Sequence, residues 1–148
     1  MKSIFDPAVE SEIIERIQSL QPSNAARWGK MNVFQMVRHC TLCEDMYLGK
    51  IEIKRAFIGR LFGRMVLKQV LKDDKPFKIN SPTSKQLTTP AEEGDLEALK
   101  RAWIDRILQY QSYTKKDFIH PFFGPLTKEQ IGMLDYKHVD HHLRQFGA

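Results

Sequence analysis

The sequence predicts an all-α fold, an up-and-down four-helix bundle, and three observations lead there. Apolar residues recur at helical spacing in four long segments, each of those segments opens on a capping signature, and no stretch alternates with the period of two that strands require. With 148 residues, 42% of them hydrophobic and 28% charged, the chain has the size and composition of one soluble domain, residues 1–148, with a single core.

The first helix begins at Asp6-Pro7, because an Asp oxygen accepts an orphan backbone N–H while Pro fits the first turn. Val9, Ile13, Ile17 and Leu20 then share one face, which places the helix at about 7–20, and Gln21-Pro22-Ser23-Asn24 ends it. Asn32 and Gln35 form a capping box for a second helix at about 33–48, marked by Val33, Met36, Cys40, Cys43 and Tyr47 and carrying His39. Over 55–71, Phe57, Leu61, Phe62, Met65 and Val66 make a broad apolar stripe beside Arg60, Arg64 and Lys68. This predicts an accessory helix whose apolar side chains belong to the core, with Gly59 and Gly63 admitting a close neighbour.

Residues 73–89, rich in Lys, Pro, Ser and Thr, have neither period and read as a long loop of the kind that lies across the mouth of a site. Thr89-Pro90-Ala91-Glu92 caps a helix at about 90–114, in which Leu96, Leu99, Trp103, Ile107 and Tyr110 recur. His120-Pro121-Phe122-Phe123-Gly124-Pro125 interrupts, and Thr127 with Gln130 opens the last helix at about 128–146. No strands, repeats or second domain are expected.

Several function classes fall away. No apolar run approaches the roughly 20 residues of a bilayer span, and the amino terminus lacks the pattern of a signal peptide, so a cytoplasmic location without a membrane partner is the expectation. Cys40 and Cys43 lie inside a helix and read as reduced thiols, since a Cys-x-x-Cys redox pair needs the helix amino terminus to lower a thiol pKa. A net charge of +5 chooses no partner by itself, and no recognised nucleic-acid motif is present.

The last helix carries the chemistry. On a wheel of roughly 100° per residue, His138 and His142 fall within about 20° of Ile131 at the centre of the inward face, Asp135 and Gln145 about 40° from it, and Asp140 opposite. Four polar groups on one inward face are costly unless satisfied. Two His at i and i+4 can turn nitrogens toward one divalent ion, and His39, at the edge of the apolar face of the second helix, can supply a third ligand, leaving a position open. Zinc suits such a set best, with nickel or iron as alternatives. His141 and His120 are candidates for the rim, and Cys43, one turn after His39, is a rival ligand. His138-Val139 lacks the Glu that a zinc protease helix places directly after its first His, which excludes that class.

Trp28 and Met31-Asn32-Val33 leading into His39, and Lys137-His138-Val139-Asp140-His141-His142-Leu143-Arg144-Gln145 near the carboxyl terminus, resemble the DinB-like superfamily of metal-dependent enzymes. The chain is most similar to a subgroup with His-Pro-Phe-Phe-Gly before the last helix, as His120 to Gly124 are here. The resemblance runs over nearly the whole chain. It implies a four-helix bundle, often a homodimer, with the metal on His39, His138 and His142. It also implies a small-molecule substrate and kinship with transferases that use low-molecular-weight thiols.

The expectation is therefore a thiol S-transferase or hydrolase whose metal activates thiol or water. Asp135 would orient a ligand His or accept a proton, Gln145 would hold a water or substrate oxygen, His120 and His141 would move protons, and Arg144 would pair with carboxylates of a thiol cofactor. The alternative from another class is a non-enzymatic module that docks nucleic acid or an acidic partner through the basic accessory helix.

Overall fold

The computed structural model describes residues 1–79, 81 and 83–148; of the 73–89 segment, Asn80 and Pro82 lie outside the described residues. The fold is mostly helical: α1 (Pro7–Ser19), α2 (Val33–Tyr47), α3 (Phe57–Val70), α4 (Leu96–Leu108) and α5 (Lys128–Gln145), with short 3-10 turns at Lys85–Leu87 and Gln109–Ser112. Three starts follow the caps read from the sequence. Asp6 accepts from the Ala8 N–H, and Asn32 with Gln35 and Thr127 with Gln130 form reciprocal capping boxes.

Helix α2 packs along α4, α1 bridges α4 and α5, and α2 meets α5. Ile13, Ile17, Met36, Trp103, Ile107, Leu134 and Leu143 fill the space between them and are fully buried. Buried cations fasten the ends. The Lys100 ammonium donates to Gln18 O and Leu20 O at the end of α1. Lys137 does the same for α3 and the segment after it, donating to Val70 O, Asp73 O and Lys75 O.

Three expectations need correction. The helix placed at about 90–114 starts at Leu96, because Asp95 accepts from the Ala98 N–H and outcompetes Thr89, whose hydroxyl only closes a turn on Ala91. Its last turn tightens to 3-10 geometry by Ser112. The absence of strands fails narrowly: Ile119–His120 and Gly124–Pro125, β1 and β2, pair antiparallel, and two-residue strands are too short to display any period.

The third correction concerns α3, which turns its apolar stripe outward. Phe57, Leu61 and Met65 are 74%, 63% and 64% exposed, while Gly59, Gly63 and Leu67 are the buried residues. The physical reason is the backbone of Phe122 and Phe123. A β-carbon at Gly59 would lie 2.5 Å from the Phe122 carbonyl oxygen, and one at Gly63 would overlap that same oxygen. The glycine row lets the helix seat on the hairpin, and Arg64 Nη1 locks it there with a bond to Pro125 O at 2.8 Å.

Gly63→Ala is therefore expected to destabilise the protein by about 1–3 kcal/mol, the usual range for overpacking, although alanine gains about 1 kcal/mol of helix propensity. Thermal unfolding followed by circular dichroism tests this, and an unchanged or raised Tm would show that α3 is not held by its glycine face.

Candidate metal centre

Two helices deliver three imidazoles to one point. His39 comes from the middle of α2, and His138 and His142 from successive turns of α5. One nitrogen of each lies within 4.8 Å of the others, a group that can hold a metal ion. The rings stand nearly edge to face, with centroids 5.0 Å apart for His39 and His138, 4.8 Å for His39 and His142, and 4.7 Å for His138 and His142. His39 Nε2 and His138 Nε2 are 3.0 Å apart, close to the roughly 3.3 Å that separates two nitrogens bound at about 2.0 Å on a tetrahedral ion.

The far sides of two rings are tied. His39 Nδ1 donates to Leu87 O at 2.6 Å, and His142 Nδ1 donates to Gln145 Oε1 at 2.8 Å. A proton held on Nδ1 leaves the Nε2 lone pair free, which is the tautomer a metal requires. Gln145 is fixed in turn, because its Nε2 donates to Trp28 O at 2.6 Å while Arg27 N donates to the Gln145 carbonyl at 2.8 Å. His138 Nδ1 is buried and has no hydrogen-bond partner among the described residues.

Burial keeps the imidazoles neutral. Desolvation lowers His39 despite the Leu87 carbonyl, drives His138 well below its ordinary value with help from the neighbouring imidazoles, and pushes His142 down to about 3. Neutral rings coordinate without first losing a proton.

The walls are aromatic and sulfurous. Cys43 Sγ lies 3.7 Å from His39 Nε2 and 3.9 Å from His138 Nε2, and burial pushes its thiol pKa well up. His141 accepts from Trp28 Nε1 at 3.4 Å, and Phe77, from the 73–89 segment, packs 6.2 Å from His141 and 6.4 Å from His138. That segment also supplies Leu87 O, so it does cross this end of the molecule. Surface clefts lined by Phe34, Arg38 and Leu99, and by Arg64, Leu67 and Gln130, include none of these residues.

The remaining candidates lie elsewhere. His120 stacks on Phe123 at 4.7 Å and its Nδ1 accepts from Phe122 N and Phe123 N, so it organises the β1–β2 turn. Arg144 is exposed and its Nε holds Asp140 at 2.8 Å. Asp140, placed by the wheel on the outer side, is nonetheless buried, because Arg16 covers it at 2.9 Å.

Asp135 meets a partner that the sequence did not suggest. Glu44 is fully buried and accepts from Trp103 Nε1 at 3.2 Å and Tyr110 Oη at 2.6 Å, while neither Asp135 oxygen has a hydrogen-bond partner among the described residues. The two carboxyls repel each other in a dry core. Desolvation and that repulsion raise Asp135 well above the carboxylate range, and desolvation carries Glu44 up to about 7 against the pull of its two donors. Glu44 was legible in principle, since it shares a face of α2 with Cys40 and Tyr47.

Fold and site together define a mostly helical protein with a buried three-histidine cluster. The chain belongs to the family described as a protein of unknown function, DUF1569, whose model matches residues 8–148. No curated protein and no solved structure matches it.

The Glu44 shift has a testable sign. Its folded pKa of about 7 lies above the ordinary 4.5, so the folded state binds the extra proton between those values and loses stability as pH rises through them. Glu44→Gln, which stays neutral at every pH, is expected to gain stability relative to the parent by up to about 1.4 kcal/mol per pH unit as pH rises through that window. Urea unfolding across that range measures it, and a difference between variant and parent that does not change with pH would mean that Glu44 stays ionised.

Proposed function

We propose that this chain is a metal-dependent enzyme of the DinB-like kind, an up-and-down four-helix bundle of α1, α2, α4 and α5 in which His39, His138 and His142 hold one divalent ion. The observation that carries this reading is the pair of Nε2 atoms at 3.0 Å, with the Nδ1 protons of His39 and His142 committed to Leu87 and Gln145. A proton shared between His39 and His138 satisfies those two rings only, and it leaves His138 Nδ1 a bare buried acceptor. A cation can take one lone pair from each of the three rings.

Zinc suits three neutral imidazoles, with nickel or iron as alternatives. Bound there, the ion supplies Lewis acidity that makes a thiol or water nucleophile available near neutral pH. The chain's own residues do the rest. Leu87 O and Gln145 fix ring orientation, and the Phe77 and Trp28 walls limit water. Asp135 lies one turn before His138 on α5, and we assign it as the acceptor that the His138 Nδ1 proton would take once Nε2 is committed to the metal; neither group has a hydrogen-bond partner among the described residues. The substrate we propose is a small electrophile taking a low-molecular-weight thiol, or one hydrolysed by water.

Native mass spectrometry of protein purified without a histidine tag and offered zinc should find one ion per chain, and His142→Ala should lose it while keeping its helical circular dichroism. Intact protein that takes up no divalent metal would sink the proposal. Gln145→Leu should bind zinc about 10–100-fold more weakly in competition with a chromophoric chelator. Unchanged affinity would remove Gln145 from any positioning role.

A further inference from the structure

The outward face of α3 has no partner among the described residues. Phe57, Ile58, Leu61, Phe62 and Met65 are each at least half exposed, and at about 100° per residue they occupy one continuous arc of roughly 140°. That is an apolar strip of about two and a half turns, larger than the scattered exposed residues of ordinary surfaces. The helix cannot roll to hide it, because the opposite side is the glycine row seated on the Phe122 and Phe123 backbone.

Charge identifies what the strip meets. From residue 53 to 72 the chain has Lys54, Arg55, Arg60, Arg64, Lys68 and Lys72 and no carboxylate. Arg60, Arg64 and Lys68 are exposed along one border of the strip and have no acidic partner within ion-pair distance among the described residues. Nucleic acid would use the cations and leave the apolar side chains in water. A second copy of the chain, packed α3 on α3, would bury the strip but oppose two carboxylate-free basic helices. An anionic bilayer surface takes both features at once, burying the apolar arc at the headgroup boundary while its lipids pair the basic border.

We propose that the exposed face of α3 docks this protein on anionic lipid surfaces. No helix among the described residues is long and apolar enough to cross a membrane, so the attachment we propose is peripheral, through one helix lying in the interface. This expectation reverses the absence of a membrane partner read from the sequence. It rests on α3 alone and is independent of the metal reading.

Flotation of the full chain with phosphatidylcholine vesicles containing phosphatidylserine, and with phosphatidylcholine alone, tests it. The protein is expected to float with the first and not the second, and binding should fall as salt rises. Arg60→Gln together with Lys68→Gln should weaken partition about fivefold per cation removed. Phe57→Ser with Leu61→Ser should abolish it while leaving circular dichroism unchanged, because those side chains already face water. Failure to float with the acidic vesicles, or equal partition onto neutral ones, overturns the proposal. So does sedimentation showing a dimer that Leu61→Ser dissolves in a chain that does not bind vesicles, which assigns the face to a second copy. Retention on duplex DNA without vesicle binding overturns it as well.

Discussion

A helix that turns polar side chains into a dry core must be given partners from every direction, and α5 is such a helix. Asp135, His138, His142 and Gln145 lie on its inner side, and burying any of them unpaired costs more than a hydrogen bond returns. Much of the irregular chain is arranged around that demand. The stretch between α1 and α2 is held where Trp28 O can receive Gln145, and the segment between α3 and α4 is held where Leu87 O can receive His39. The loops are thus pinned by the polar face of α5, and they supply backbone acceptors that no second helix could offer at that point.

Periodicity reveals residues that repeat and hides those that occur once. His138 and His142 were legible because their spacing of four fixes a common face whatever packs against it, and His39 because it borders the apolar stripe of α2. Their meeting is a tertiary fact that the pattern only permits. Glu44 was missed because a single carboxylate on an apolar helix face reads as a surface residue until Trp103 and Tyr110 arrive from α4 and the turn after it. The α3 inversion was missed for a related reason. Hydrophobicity assigns the larger residues to the core, but close approach to a backbone is a contact that only glycine permits, and Phe122 supplied the backbone.

Two groups of titratable side chains share the interior, and burial pushes them toward neutrality from opposite sides. It lowers the imidazoles and raises the carboxyls. An unpaired Asp135 beside a buried Glu44 is tolerable only because the pair can retain a proton. The histidine cluster likewise depends on its rings staying uncharged, since protonating one would leave a desolvated cation in a buried site. The core therefore accommodates a densely polar region without large net charge.

Lys137 joins the peripheral helix to this region. Its ammonium gathers Val70 O at the end of α3 with Asp73 O and Lys75 O beyond it, and the next residue of α5 is His138. The segment so gathered continues to Phe77, which packs on His138 and His141. An ammonium with three backbone acceptors and little exposure is a rigid joint, because releasing any one of them strands a buried donor. A shift of α3 on its glycine seat would therefore move the carbonyls that hold Lys137 and the aromatic wall beside the cluster. The helix that faces outward and the histidines that face inward are connected through one side chain.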